Sequence, residues 1–127
     1  ALRSSVKADV VIAIDTYVIA DPVSGTQRYA QAHLGSGPVF RAMDDSYVAQ
    51  PEEHPRLLAA AKRAGVKLQE GVTSGHNDAS VWAYTGARTL ALGWPMRSAH
   101  SMVEVIDMDD VAGLAKLVAE LARSYHD

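Results

Sequence analysis

Five consecutive apolar residues, Val10-Val11-Ile12-Ala13-Ile14, four of them β-branched, run directly into an aspartate, Asp15. A run with no polar alternation has no face to offer water, so it fits a strand buried on both sides of a helix-covered sheet. The pattern predicts that this strand closes at Asp15. From Asp21 to Pro38 the density of Gly, Pro, Ser and polar residues predicts a long loop, and residues 38–43 a second strand stopped by Asp44-Asp45-Ser46. Leu57, Leu58, Ala61 and Ala64 share one helical face, with Pro51 or Pro55 in the first turn and Gly65 as a left-handed stop. A short strand is expected at 66–69. Ser74-Gly75-His76-Asn77-Asp78 forms a turn whose Asp78 caps a helix over 79–85. Thr89-Leu90-Ala91-Leu92 is a further buried strand, closed by Gly93-Trp94-Pro95. Val111, Leu114, Ala115, Val118, Leu121, Ala122 and Tyr125 form the stripe of a last helix, capped by Asp107 or Asp109.

Strands alternating with helices imply an α/β chain, layered α/β/α around a mostly parallel sheet. Ligands of such sheets gather beyond the C-terminal strand ends. Two loops there carry candidate groups, one at Asp15 and one over 94–101 that contains His100. The 127 residues suffice for one domain or a piece of a larger one, and a 48% apolar composition argues against disorder. A net charge of −3 offers no field for a phosphate backbone, so no nucleic-acid partner is expected. The absence of Cys removes disulfides, thiolate zinc sites and Cys nucleophiles together. The apolar runs are too short to span a bilayer and no signal segment opens the chain, so no membrane partner and a cytoplasmic location are expected.

A charge at the end of an apolar strand is costly unless a cation meets it. Asp15 is therefore either a metal ligand or acid-base group, or a carboxylate bonded to loop amides. His100, in Arg97-Ser98-Ala99-His100-Ser101, is either a neutral imidazole ligand for a metal such as zinc or a surface histidine. His33, His54, His76 and His126 receive no role. Asp78 caps its helix and can orient a site loop, and Arg97 pairs with an acidic group of a substrate or a subunit, or lies in a surface ion pair. Asp44-Asp45 and Glu52-Glu53 read as solvated. No phosphate-binding loop, nucleophile elbow or two-His helical zinc motif occurs, and Gly35-Ser36-Gly37 is too short for a dinucleotide fingerprint. Two candidate ligands are fewer than the three a catalytic metal normally takes from protein.

The ordered set Ala13-Ile14-Asp15-Thr16, Ala20-Asp21-Pro22, Leu34-Gly35-Ser36-Gly37-Pro38-Val39, Met43-Asp44, Gly75-His76-Asn77-Asp78, Gly93-Trp94-Pro95-Met96-Arg97 and His100-Ser101 before Glu104-Val105-Ile106-Asp107 resembles the last third of the tetrahedral metallo-aminopeptidases. These form the glutamyl aminopeptidase family, whose members are also often labelled endoglucanases. The resemblance implies two divalent cations, zinc or cobalt, at one active site that removes amino-terminal residues from peptides. It implies that Asp15 and His100 each bind one cation, with Gly75, Asp78 and Arg97 in the substrate wall. The bridging Asp, second His, ligand Glu and general-base Glu of the family lie earlier in its sequence, and no matching segment precedes Asp15 here. Residues 1–127 are thus expected to be the C-terminal portion of a zinc-peptidase-like catalytic domain, without the upstream ligands or the inserted assembly domain. Homo-oligomers are expected of the intact protein, and little activity of this chain alone. Ser98-Ala99 and His76 depart from the family pattern, so substrate preference does not carry over. The competing expectation is a non-catalytic interaction or regulatory module. A glycosidase needs two carboxylates set across a sugar, and nothing singles out such a pair.

Overall fold

The computed structural model of the chain describes residues 5–19 and 32–124. Its elements are β1 (Val10–Val18), β2 (Val39–Met43), α1 (Glu53–Ala64), β3 (Gln69–Val72), α2 (Ala79–Trp82), β4 (Arg88–Arg97), β5 (Val105–Ile106) and α3 (Met108–Ser124). The sheet order is β1-β4-β2-β3, with β5 beside the end of β4. β1 lies parallel to β4 along its whole length, from Val10 opposite Arg88 to Val18 opposite Met96. β2 lies parallel to β3. The two parallel pairs meet in antiparallel register, where Val39 faces Gly93 and Phe40 faces Leu92.

The long strands overrun their sequence signals. β1 does not end at Asp15, because pairing with β4 carries it on through Tyr17, which is wholly buried. The Tyr17 hydroxyl donates to the Val72 carbonyl oxygen at 2.9 Å, and burial pushes its pKa up to about 12 against the opposing pull of Arg41. β4 likewise continues through Gly93-Trp94-Pro95 to Arg97. Pro95 falls between the β2 ladder, which stops at Gly93, and the β5 ladder, which starts at Met96. Its missing N–H interrupts neither ladder.

Other boundaries also shift. The strand expected at 66–69 lies at Gln69–Val72, since residues 66–68 close α1 instead through the Val66 amide on the Ala61 carbonyl at 2.9 Å. α2 spans only Ala79–Trp82 before turn residues 83–86. Its cap is Asn77, whose Oδ1 accepts the Ala79 amide at 2.8 Å, while the Asp78 side chain makes no cap. Asp107 caps α3 as expected, accepting the Asp109 amide at 2.9 Å. The long loop at 21–31 and Tyr125 lie outside the described residues.

One face of the sheet carries the main core. Phe40, Leu90 and Leu92 pack under Leu57, Ala60 and Ala61 of α1 and under Leu114, Leu117 and Leu121 of α3. Each such leucine contributes about 2 kcal/mol by leaving water. Leu58, Ala115 and Ala122, expected in these stripes, face solvent instead. The opposite face is lined by small side chains, Ala13 and Ala91, which let Tyr47 and Ala79 of α2 approach closely. Helices therefore cover both faces, and the α/β/α layering holds.

The turn at 35–37 serves α3. The amides of Gly35 and Gly37 donate to the buried Asp110 carboxylate at 2.8 and 2.6 Å. Gly37 has φ +103°, and a Cβ there would collide with the Lys67 carbonyl oxygen, so only glycine fits. Among the described residues no helix is long and apolar enough to cross a membrane.

Candidate functional site

Asp15 lies mid-strand in β1, opposite Gly93, with its side chain 46% exposed. Its Oδ1 accepts the Thr16 amide at 2.7 Å, and its Oδ2 stands 3.7 Å from Arg41 Nη1. It lines a cleft of about 400 Å³ with Ile14, His76, Asn77, Asp78, Ser80 and Val81. The first strand and the start of α2 are thus the two walls of one cavity. Asp15 and Asp78, both singled out from sequence, meet there.

The far wall is pinned by a buried polar cluster. Asp44, expected to be solvated, has a fully buried side chain. Its Oδ2 pairs with Arg41 Nε at 2.9 Å and accepts from Asn77 Nδ2 at 2.6 Å, while its Oδ1 accepts the Ser46 amide and hydroxyl at 2.8 and 2.9 Å. Asp45, exposed, takes the Gly75 amide on Oδ2 at 2.7 Å. Gly75 has φ +90°, the left-handed turn this loop requires. Glu53 is also buried, at 1% exposure, against Arg88 and Arg56. A carboxylate without water must be met by donors, and these arginines explain why the solvated expectation fails for both residues.

His100 sits in the hairpin between β4 and β5, which folds back so that Met96 faces Ile106 and Arg97 faces Val105. Ser98 and His100 have φ values of 58° and 62°. Left-handed non-glycine residues cost on the order of 1 kcal/mol each and concentrate at functional sites. The His100 amide donates to Glu104 Oε1 at 2.8 Å, which closes the loop, and the imidazole is exposed. Arg97, half-buried, keeps its Nε buried with no hydrogen-bond partner among the described residues. β1 and β4 are parallel, with Val18 opposite Met96, so the hairpin holding His100 follows β4 at the sheet end toward which β1 runs beyond Asp15, and His100 does not line the cleft around Asp15. Among the described residues no group of three or more His, Cys, Asp or Glu could hold a metal.

Arg41, Asp44 and Asn77 were not visible as site residues in the sequence. The available signal was Arg41 itself, a guanidinium inside the apolar strand Val39–Met43 with a carboxylate three residues on.

Comparison with known proteins places this geometry. A curated relative from Acetivibrio thermocellus is 30% identical over 119 residues, which is 91% of this chain and 36% of the relative. The solved TET1 peptidase of Pyrococcus horikoshii, which can assemble into a tetrahedron or a large octahedral shell, is 34% identical over 90% of this chain and 33% of its own, with a TM-score of 0.77. A TET aminopeptidase from a marine-sediment thaumarchaeon superposes with a TM-score of 0.82 at 25% identity, over 94% of this chain and 34% of its own. The chain spans about a third of the length of these relatives. With the M42 glutamyl aminopeptidase model matching residues 1–117, on a sheet that these peptidases share, the chain belongs to the M42 glutamyl aminopeptidase family.

Proposed function

We propose that the polypeptide carrying this sequence is a metal-dependent aminopeptidase that releases amino-terminal residues from peptides, with residues 1–127 forming the C-terminal portion of its catalytic domain. The observation that carries this is Asp15, a half-exposed carboxylate on a cleft wall within a chain whose match to the aminopeptidase family covers residues 1–117.

The donors present suit a divalent cation. Asp15 Oδ1 accepts the Thr16 amide at 2.7 Å and the Thr16 hydroxyl at 3.5 Å, while Oδ2 faces a guanidinium 3.7 Å away and so keeps a lone pair to give. Carboxylate oxygen and neutral imidazole nitrogen are the donor set of zinc and cobalt sites. Asp15 and His100 would each hold one of two cations. The remaining ligands and the general-base Glu are assigned to sequence outside this chain. When bound, such a pair polarises a scissile carbonyl and supplies a nucleophilic water near neutral pH. The chain's own residues position the peptide. Residues 76–78, Asp78 among them, form the cleft wall facing Asp15, and Gly75 and Arg97 are assigned to the substrate wall from the family resemblance. A homo-oligomer is part of the proposal, in keeping with the shell-forming relative from Pyrococcus horikoshii.

The test is hydrolysis of aminoacyl-nitroanilides. A polypeptide carrying this sequence at its relatives' length should lose activity to a chelator and recover it with zinc or cobalt. Residues 1–127 alone should be inactive. Hydrolysis by residues 1–127 alone at the rate of an intact aminopeptidase contradicts the assignment of the base to other sequence. Stoichiometric metal without hydrolysis in the longer polypeptide favours a non-catalytic module.

A further inference from the structure

The proposed activity uses Asp15 but leaves unexplained the buried arginine beside it. The Arg41 side chain is 5% exposed, and its guanidinium is committed in several directions. Nε faces Asp44 Oδ2 at 2.9 Å, Nη1 donates to the Thr16 carbonyl oxygen at 3.4 Å, and Nη2 donates to the Ser74 carbonyl oxygen at 3.0 Å. Nη1 also stands 3.7 Å from Asp15 Oδ2. Burying a guanidinium is costly unless acceptors surround it, and here two hydrogen bonds from the Nη atoms and an ion-pair contact of Nε with Asp44, which lacks hydrogen-bond geometry, hold the group in place.

The chain of bonds does not stop at Arg41. Asp44 passes it to Asn77 through the 2.6 Å bond to Nδ2, and Asn77 Oδ1 holds the first amide of α2. A continuous polar path therefore runs from Asp15 on one cleft wall, beneath the sheet surface, to the opposite wall. Its charges are unequal: two carboxylates share one guanidinium. Asp44, fully buried and closer, takes the larger share of the positive charge. The remaining negative charge sits on Asp15, the one member that reaches solvent. A lone guanidinium beside Asp15 would compete with an incoming cation, and Asp44 removes that competition.

We infer that Arg41 is the positioning residue for Asp15, orienting its carboxylate toward the cleft and setting the distance between the cleft walls. This rests on the reading of Asp15 as a metal ligand. The role needs a planar fork with several fixed donors, because a lysine ammonium is a point charge that cannot bridge Thr16, Ser74 and Asp44 at once.

Three variants of the metal-loaded polypeptide at its relatives' length, Arg41→Lys, Asp15→Asn and the double variant Arg41→Met with Asp44→Asn, test this with Co²⁺ as the probe. Arg41→Lys should weaken Co²⁺ binding about tenfold or more, as loss of a ligand's supporting contact does elsewhere. It should also shift the visible absorption of the bound Co²⁺ and lower kcat while leaving KM nearly unchanged. The metal-free protein loses some melting temperature with the bonds to Thr16 and Ser74, so the comparison is made on protein that is still folded, where a purely structural role would leave the Co²⁺ affinity and spectrum unaltered. A folded Arg41→Lys protein with unaltered Co²⁺ affinity, spectrum and kcat overturns the inference. If Arg41→Lys does not fold, the double variant, which strands no buried charge, is held to the same expectations. Asp15→Asn separates the two claims. If it abolishes one equivalent of Co²⁺ while Arg41→Lys changes nothing, only the positioning role fails. If Asp15→Asn binds Co²⁺ as before, the ligand reading fails and takes the positioning role with it.

Discussion

Gly93→Ala is expected to destabilise the fold by about 3 kcal/mol and to lower the melting temperature by about 10 °C. Gly93 occupies the central strand β4, where it faces Asp15 of β1 on one side and Val39 of β2 on the other. A Cβ built there would overlap the Asp15 carbonyl oxygen. That atom is backbone, so no rotamer change relieves the clash, and the β1–β4 ladder must open at the position that orients Asp15. The change should therefore weaken metal binding as well as the fold, unlike an ordinary core substitution of similar cost. A urea or thermal melt indistinguishable from that of the unmodified protein contradicts the close approach of the two strands.

A second large effect concerns the buried Glu53. At 1% exposure its Oε1 meets Arg88 Nη2 at 2.8 Å, Arg88 Nε at 2.9 Å and Arg56 Nη1 at 3.3 Å. Arg88→Met takes away both Arg88 contacts of that carboxylate, and the Arg56 contact that stays comes from a side chain 52% exposed. Removing one partner of a buried pair costs about 3 kcal/mol or more. Glu53→Gln should cost only about 1 kcal/mol, because the amide oxygen still accepts and both arginines can reach water. The order of the two variants in denaturant midpoint is the prediction. Glu53→Gln falling below Arg88→Met contradicts it, since that would make the arginines, and not the carboxylate, the groups that cannot tolerate isolation.

The parts of this molecule that sequence reveals are those fixed by local pattern. The unbroken apolar run at Val10–Ile14 marks the strand β1, and Gly65 ends α1 in the left-handed conformation, φ 65°. The burial expected on both faces fails, because β1 lies at the end of the sheet order, where Ala13 is buried, Val10, Val11 and Ile12 are half-buried and Ile14 is exposed. What pattern does not reveal is where a ladder carries a strand past its own signal. Asp15, Gly93 and Pro95 each look like a stop, yet pairing between β1 and β4 runs through all three. The helical stripes are misplaced by a residue or so, because which side of α3 faces the sheet is decided by contacts with Leu90 and Leu92. The same distinction holds at the site. Asp15 stands out as a charge closing an apolar run, and Asp78 as a residue opening a helix. Asp44 and Glu53 look solvated because a partner of each, Asn77 for Asp44 and Arg88 for Glu53, comes from another segment of the chain. Asn77 takes the cap expected of its neighbour Asp78, which frees Asp78 to face the cleft.

The central claim is that Asp15, in mid-strand of β1, and His100, in the hairpin that follows the parallel neighbour β4, are ligands of one dinuclear site. Anomalous scattering at the zinc edge, from crystals of the zinc-loaded polypeptide, tests it most directly. The account predicts zinc peaks about 2.0–2.2 Å from an Asp15 carboxylate oxygen and about 2.0–2.1 Å from a His100 ring nitrogen, on two ions sharing one cavity. Well-ordered zinc bound elsewhere, with both side chains bare, would contradict it.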